Sequence, residues 1–167
     1  MRGRGPVSPD SDDSSNQSQC NAKTPAQIAR YLEDLTCKIM HAHNYLKNPF
    51  YADLVRQHTA QDLIMHDANV HDCPIPPSVD IETHISNVIN LLDAHPCFEF
   101  VPTNVTAHVD RATNHAVVWV TEPGVGSEKE RMFNRESVSR LHFRRRMDDG
   151  AWIFYKHMSI RGGGDFW

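Results

Sequence analysis

Several features that would identify a class of protein are missing from this sequence. No apolar run approaches the roughly 20 residues that a membrane-spanning helix needs, and the opening residues lack the apolar core of a secretory signal peptide. We therefore expect a cytoplasmic protein with no membrane partner. Positive charge is not in excess, since 17 Lys and Arg stand against 21 Asp and Glu. Because nucleic-acid binding depends mainly on cations that neutralise phosphates, we also expect no nucleic-acid partner.

Cysteine and glycine do not occur in the arrangements that indicate chemistry. The four cysteines are far apart and form no CxxC pair, which is typical of reduced thiols in the cytosol. The chain has no glycine-rich phosphate loop and no GxSxG motif. The glycines at 162–164 follow a predicted strand and precede no helix, so they do not form a dinucleotide site.

The chain divides into a polar N-terminal segment and one domain. Residues 1–22 are rich in Ser and Asp and contain almost no apolar residues. Burial cannot offset the entropy lost on ordering such a segment, and we predict a disordered tail. Residues 23–167 suit a single domain with one core.

Apolar periodicity predicts helices in the first half of this domain. Thr24 caps the first helix, with Pro25 at the first helical position and Gln27 placed to complete a capping box. Apolar residues then recur at steps of three and four as far as Leu46. From Phe98 onward the period changes to the alternation of strands. The predicted elements are helices at 24–46, 50–59 and 80–95, a short strand at 63–66, and strands at 98–109, 116–122, 135–147 and 152–160.

The order of these elements predicts an α+β fold. Short links make the last four strands an antiparallel meander, with the helices segregated from it. A long, twisted sheet with helices against one face curls into an open cone, and a cone encloses a cavity. We therefore expect a curved antiparallel sheet packed on three N-terminal helices.

The register of the last hairpin decides which histidines face this cavity. If Asp149-Gly150 forms a two-residue type I′ turn, His142 lies opposite His157 on the face away from the core. A three-residue turn instead places His157 opposite Leu141, and His157 and Tyr155 then line the pocket. The first register is favoured because it separates the two faces more cleanly, but both remain open.

Pairing of the first two meander strands places an aromatic ring beside a histidine. If Val109 pairs with Ala116, then His108 and Trp119 share one face of the sheet. A Trp beside a His suits a flat apolar ligand. It suits a dimer interface equally well, because aromatic residues are enriched there.

This order of elements resembles the nuclear-transport-factor-two-like superfamily, of the SnoaL-like kind, over roughly residues 24–164. Local phrases carry the likeness too: His66-Asp67 at a strand end, His95-Pro96 after the third helix, Ala116–Val120, and His157 before Arg161-Gly162. The resemblance implies a cone-shaped α+β barrel with a pocket and, commonly, a homodimer. It also implies catalysis without a cofactor, in which pocket carboxylates or histidines serve as acid and base; other members of the superfamily only bind.

The resemblance implies roles for several residues of this chain. Asp67 or His66 is the expected general base, and His108 or Tyr45 would polarise a substrate carbonyl. Trp119 would pack on the ligand. The alternatives are that Asp67 only begins a loop and that Tyr45 is a helix-rim residue.

A metal site is a further possibility near the early strand. His66, Asp67, His71, Asp72 and Cys73 are suitable ligand types, but their spacing matches no zinc pattern, and we expect no metal. The expected function is a cofactor-free isomerase, cyclase or dehydratase acting on a small apolar molecule of polyketide- or terpenoid-like chemistry. The alternative is a non-catalytic module of the same fold that binds a ligand or dimerises.

Overall fold

A computed structural model of the protein describes residues 23–67, 75–123 and 136–161, with all of their side chains except those of His66, Asp67 and Arg161. The elements are α1 (Pro25–His43), α2 (Pro49–His58), β1 (Thr59–Asp67), α3 (Ile81–Ala94), β2 (Thr103–Asp110), β3 (His115–Glu122), β4 (Ser137–Arg145) and β5 (Trp152–Arg161). The predicted order of helices and strands is therefore confirmed. The tail predicted at 1–22 lies outside the described residues.

Each helix begins at a polar cap that its sequence supplies. Thr24 and Gln27 form the predicted capping box at α1. The side chain of Asn48 accepts from the backbone at the start of α2. Asp80 accepts from the backbone N–H of Thr83 at 2.8 Å and so caps α3. None of the three described helices is long and apolar enough to cross a membrane.

The five strands form one sheet in the order β1-β5-β4-β3-β2. The last four strands pair antiparallel, as predicted, while β1 lies beside β5 and runs parallel to it. The α+β fold is thus confirmed, with a mixed rather than purely antiparallel sheet. The predicted pairing of Val109 with Ala116 is also observed.

The helices cover one face of the sheet and enclose the core against it. The buried residues of the inner sheet face come mainly from the three central strands β3, β4 and β5, with Leu63 from β1, because the alternation of strands directs them to one side. They pack against the apolar stripes of the helices. The core includes Leu32, Leu35, Ile39, Val55, Leu63, Val88, Val118, Val120, Leu141, Phe143 and Phe154.

The favoured register of the last hairpin is wrong. Leu141 pairs with His157, as the alternative register predicts. The backbone N–H of Arg146 donates to the carbonyl of Ala151, so four residues, 147–150, form the turn. Of these only Gly150 has a positive φ, of 70°, whereas a type I′ turn needs positive φ at Asp149 as well. The carboxylate of Asp149 instead accepts from the N–H of Ala151 and binds Arg146, which holds the wider turn.

The alternative register alone would direct apolar and polar side chains of β5 to the same face of the sheet. A β-bulge in β5 avoids this. Phe143 pairs with Phe154 and His142 with Lys156, so Tyr155 is an extra residue on β5. An extra residue lets two side chains three positions apart face the same side. Phe154 and His157 consequently both face the interior.

Candidate functional site

A small cavity lies between α1, α3 and the inner face of the sheet. Its volume is about 60 Å³, room for a few water molecules or a group of a few non-hydrogen atoms, since one water needs about 10–15 Å³ on this measure. Among the described residues, apolar side chains dominate its wall, together with three histidines and one carboxylate. The lining residues are Ile39, Met40, His43, Met65, Ile75, His84, Phe100, Glu122, Leu141, Phe154 and His157.

Two buried histidines meet at one side of this cavity. His43 is the last residue of α1 and is 7% exposed, and His84 lies in the first turn of α3 and is 3% exposed. Their Nε2 atoms are 2.9 Å apart, within hydrogen-bonding distance. The Nδ1 atom of His43 is 2.7 Å from the carbonyl oxygen of Ile39, one turn earlier in α1.

The bonding partners fix which nitrogen of each ring carries a proton. A carbonyl oxygen only accepts, so Nδ1 of His43 is the donor to Ile39. In the neutral ring its Nε2 is then an acceptor, and Nε2 of His84 must donate to it. The Nδ1 atom of neutral His84 is therefore unprotonated. It is buried and has no hydrogen-bond partner among the described residues.

The surroundings favour the neutral form of both rings. Burial lowers the pKa of His43 below its ordinary value, and the hydrogen bond to Ile39 only partly opposes this. The pKa of His84 is lowered well below its ordinary value, chiefly by burial and further by repulsion from the positive charges that His43 and His157 would carry. Near neutral pH, His84 thus presents an unprotonated nitrogen lone pair in a mostly apolar cavity.

Two further ionisable side chains line the cavity from the sheet. Glu122 is the last residue of β3, and its Oε1 accepts from the hydroxyl of Ser139 at 3.1 Å. His157 reaches the cavity from β5, with its ring 6.5 Å from that of Phe154. The cavity therefore combines imidazole groups from two helices with a carboxylate and an imidazole from two strands.

The expected base at the end of β1 is described only in part. His66 and Asp67 are the last residues of β1, and their backbones pair with Met158 and Ser159 of β5. Their side chains lie outside the described residues, as do His71, Asp72 and Cys73 of the possible metal cluster. A catalytic role for His66 or Asp67 stays a prediction.

Three residues expected in the pocket lie on the outer face of the sheet instead. His108 is exposed, and Trp119 is 44% exposed with the guanidinium of Arg140 at 5.5 Å from its ring centre. Tyr155 contacts Arg144 and places its hydroxyl 3.3 Å from Nδ1 of His115. The side chains of these residues point away from the helices. From these positions they do not reach a ligand in the inner cavity.

Tyr45 also lies outside the cavity, in the turn after α1. Its ring is half exposed and packs against His41 at 5.0 Å and Tyr51 at 5.1 Å between ring centres. Apolar periodicity predicts a first helix as far as Leu46 with Tyr45 on its rim, but α1 ends at His43, so Tyr45 lies beyond the helix. His157, by contrast, lines the cavity, as the alternative hairpin register predicted.

The sequence reasoning missed His43 and His84, although a signal was present. His43 lies four residues after Ile39, and His84 lies three residues after Ile81, so both fall on the apolar stripes of their helices. A histidine at such a position is buried, and a buried histidine needs a partner. The sequence does not reveal that each is the partner of the other.

Comparison with known proteins identifies the fold. No protein-family model and no curated protein matches the chain. Solved structures do match. An NTF2-like protein with a cystatin-like fold from Novosphingobium aromaticivorans has a TM-score of 0.59 at 13% identity, covering 82% of this chain and 83% of that one.

One matching structure carries the name of an enzyme, and another is named for its likeness to one. A hexachlorocyclohexane dehydrochlorinase, LinA-type3, from Novosphingobium barchaimii has a TM-score of 0.54 at 14% identity, covering 79% of this chain and 84% of that one. A ketosteroid isomerase-like protein from Erwinia carotovora atroseptica has a TM-score of 0.55 at 11% identity, covering 81% and 97%. At these identities the likeness shows the fold alone, and this fold is the one that the resemblance in the sequence implies.

Proposed function

We propose that this protein catalyses cofactor-free proton transfer on a small, mostly apolar molecule, as in isomerisation, cyclisation or dehydration, with the inner cavity as its active site. The proposal rests on the state of the Nδ1 atom of His84. It is buried, unprotonated and without a partner among the described residues. A buried nitrogen without a hydrogen-bond partner is costly for folding, and the lowered pKa keeps this one unprotonated near neutral pH, so that it can accept a proton from a group in the cavity.

In the proposed step, Nδ1 of His84 removes a proton from a substrate carbon. The electron pair of the broken C–H bond stays on the substrate, where it forms an enolate or expels a leaving group. The proton on Nε2 of His84 then passes to Nε2 of His43 across 2.9 Å. The positive charge thereby reaches a ring whose Nδ1–H is already bonded to the carbonyl of Ile39. Reversal of the relay returns a proton to another substrate atom.

The size of the cavity limits what enters it. About 60 Å³ holds the reacting end of a small molecule rather than a whole polyketide- or terpenoid-like substrate. Met40 and Met65 line the cavity, and methionine side chains adapt readily to the shape of a ligand. We therefore propose that a short carbonyl-bearing group enters between them.

The names of the structural neighbours support this class of reaction. Dehydrochlorination and ketosteroid isomerisation both begin with removal of a proton from carbon, and neither needs an oxidant. The same fold also hosts binding proteins, so the support comes from the neighbours and the buried base together.

The test uses acetone, which is small enough for the cavity and acidic next to its carbonyl. Exchange of its methyl protons for deuterium in D₂O is followed by ¹H NMR, with and without protein. We expect His84→Gln to lower the protein-dependent exchange rate at least tenfold, since general bases contribute about 10²–10⁴-fold. Gln keeps an N–H that can donate to His43. His41→Gln, on the exposed side of α1, is the matched control and retains the wild-type rate.

A second variant separates the two candidate bases. If Asp67→Asn abolishes exchange while His84→Gln does not, the base is Asp67, as the sequence predicts, and the role proposed for His84 is wrong. Exchange that is no faster with protein than without it favours the second candidate, a non-catalytic ligand-binding module. The small volume and mostly apolar wall of the cavity are the observations that support this second candidate.

We also propose that the outer sheet face forms a homodimer interface. Trp119, Val138 and Ile160 are large exposed hydrophobic residues on this face. Val138 pairs directly with Ile160, and Trp119 pairs with Arg140 in the next row. An apolar, aromatic patch of this kind is typical of an interface core.

A further inference from the structure

A second and larger cleft lies at the opposite end of α1 from the inner cavity. Its volume is about 570 Å³, within the range of ligand sites. The start of α1, the β2–β3 turn and the β4–β5 turn form its walls. The lining residues are Lys23, Ile28, Tyr31, Arg111, Asn114, Arg145, Asp149, Gly150, Ala151 and Trp152. The cleft shares none of these with the inner cavity, and twelve residues of α1, or about 18 Å, separate Ile28 from Met40.

Three cations from three separate segments line this cleft. Lys23 precedes α1, Arg111 lies in the β2–β3 turn and Arg145 ends β4. None of them forms an ion pair with the residues that the structure describes: Lys23 lies over the ring of Tyr31, and Nε of Arg145 donates to the carbonyl of Gly150. No described residue therefore compensates their charges.

Asp149, the one acidic residue of the described lining, does not neutralise these cations. The carboxylate of Asp149 is bonded to the guanidinium of Arg146 and accepts from the N–H of Ala151. The first turn of α1 contributes no acidic residue either. The described lining of the cleft consequently has a net positive charge, in a chain whose overall charge is −4. A concave site with one sign of charge attracts ligands of the opposite sign.

The uncharged residues of the lining indicate the chemistry of the rest of the ligand. Ile28, Tyr31 and Trp152 supply apolar and aromatic surface beside the cations. A volume of about 570 Å³ far exceeds what an inorganic anion fills. We propose that this cleft binds a small organic phosphate, whose phosphate group meets the cations and whose organic group packs on Tyr31 and Ile28.

The test uses adenosine 5′-monophosphate as the charged probe and adenosine as its uncharged counterpart. Titration is followed by ¹H–¹⁵N NMR of the full chain. Gly150 is the one glycine among the described residues, and its amide reports on the cleft directly. We expect the nucleotide to shift the resonances of Gly150 and Ala151 and to bind at least tenfold more tightly than adenosine. Raising the salt concentration should weaken its binding.

Matched variants then test the role of charge. Arg111→Gln is expected to raise the Kd for the nucleotide at least fivefold, and Lys23→Gln should act in the same direction. Arg30→Gln removes the same charge from an exposed position of α1 that does not line the cleft, and it should leave the Kd unchanged. Equal binding of adenosine, no binding of the nucleotide at millimolar concentration, or an equal loss in Arg30→Gln would each overturn the proposal.

Discussion

The two buried histidines share a hydrogen bond, but they occupy opposite electrostatic environments. His84 lies in the first turn of α3, where the helix dipole disfavours a cation. His43 ends α1, where the dipole favours one, and its Nδ1–H is bonded to Ile39. Transfer of a proton from His84 to His43 is therefore favoured by the two helix dipoles. The direction of the proposed relay follows from where each ring lies on its helix.

The lowered pKa of His84 predicts that stability falls in acid. Both states hold a neutral ring above pH 6.5. Below the unfolded pKa the unfolded chain takes up a proton that the folded chain does not, so the free energy of unfolding decreases as pH falls towards the folded pKa. One such group contributes at most about 1.4 kcal/mol per pH unit. Denaturant unfolding between pH 7.5 and 5.5 should show this loss, which is smaller in His84→Gln; an unchanged slope in that variant contradicts the assignment.

Sequence patterns located the faces of the strands more reliably than the site. Alternation correctly placed His108 and Trp119 on one face of the sheet and Val118 on the other. It does not say which group the helices cover, because that depends on packing between distant segments. For His43 and His84, separated by 41 residues, helical periodicity indicates burial but not their contact. Local rules therefore give the orientation of a side chain and leave its long-range partner unknown.

The cap of α3 positions the proposed base. Asp80 accepts from both the N–H and the hydroxyl of Thr83, and His84 follows one residue later. Asp80→Ala should lower the free energy of unfolding by about 1 kcal/mol, as loss of a helix cap usually does. It should also loosen the first turn of α3 and lower the acetone exchange rate.

A conservative variant separates capping from loss of charge at the same position. Asp80→Ser retains a hydroxyl that can accept from Thr83, so its stability in denaturant unfolding should lie close to that of the wild type. If Asp80→Ser and Asp80→Ala are equally destabilised, the carboxylate acts through its charge rather than as a cap.

For the hairpin of β4 and β5, the turn rules predicted the hairpin but not the length of its turn. Asp-Gly between two strands is a strong hairpin signal, and a hairpin is present. Its register differs because the side chain of Asp149 binds Arg146 and Ala151, which favours a four-residue turn. The bulge at Tyr155 then restores the inward direction of His157. The turn and the bulge together thus decide that His157 reaches the cavity.

The sheet as a whole shows what short-range patterns leave undetermined. Element order predicted the antiparallel meander, because consecutive strands with short links pair with each other. The partner of β1 is β5, whose first residue lies about 90 positions along the chain from the start of β1. A parallel pair at such a distance has no local signal. The inner cavity depends on this pair, since Met65 of β1 lies opposite His157 of β5.

At the scale of the whole molecule, the described helices cover one face of the sheet and leave Trp119, Val138 and Ile160 exposed on the other. If the outer face forms the proposed homodimer, Trp119→Glu places a charge in the apolar patch and should convert dimer to monomer. Sedimentation velocity measures the change directly.

Met147→Glu is the matched control, because Met147 is 89% exposed in the β4–β5 turn, away from the patch. A wild-type protein that sediments as a monomer, or equal effects of the two variants, would exclude this face as the interface. Retained folding of Trp119→Glu is expected, since its side chain is already 44% exposed and contacts Arg140 rather than the core.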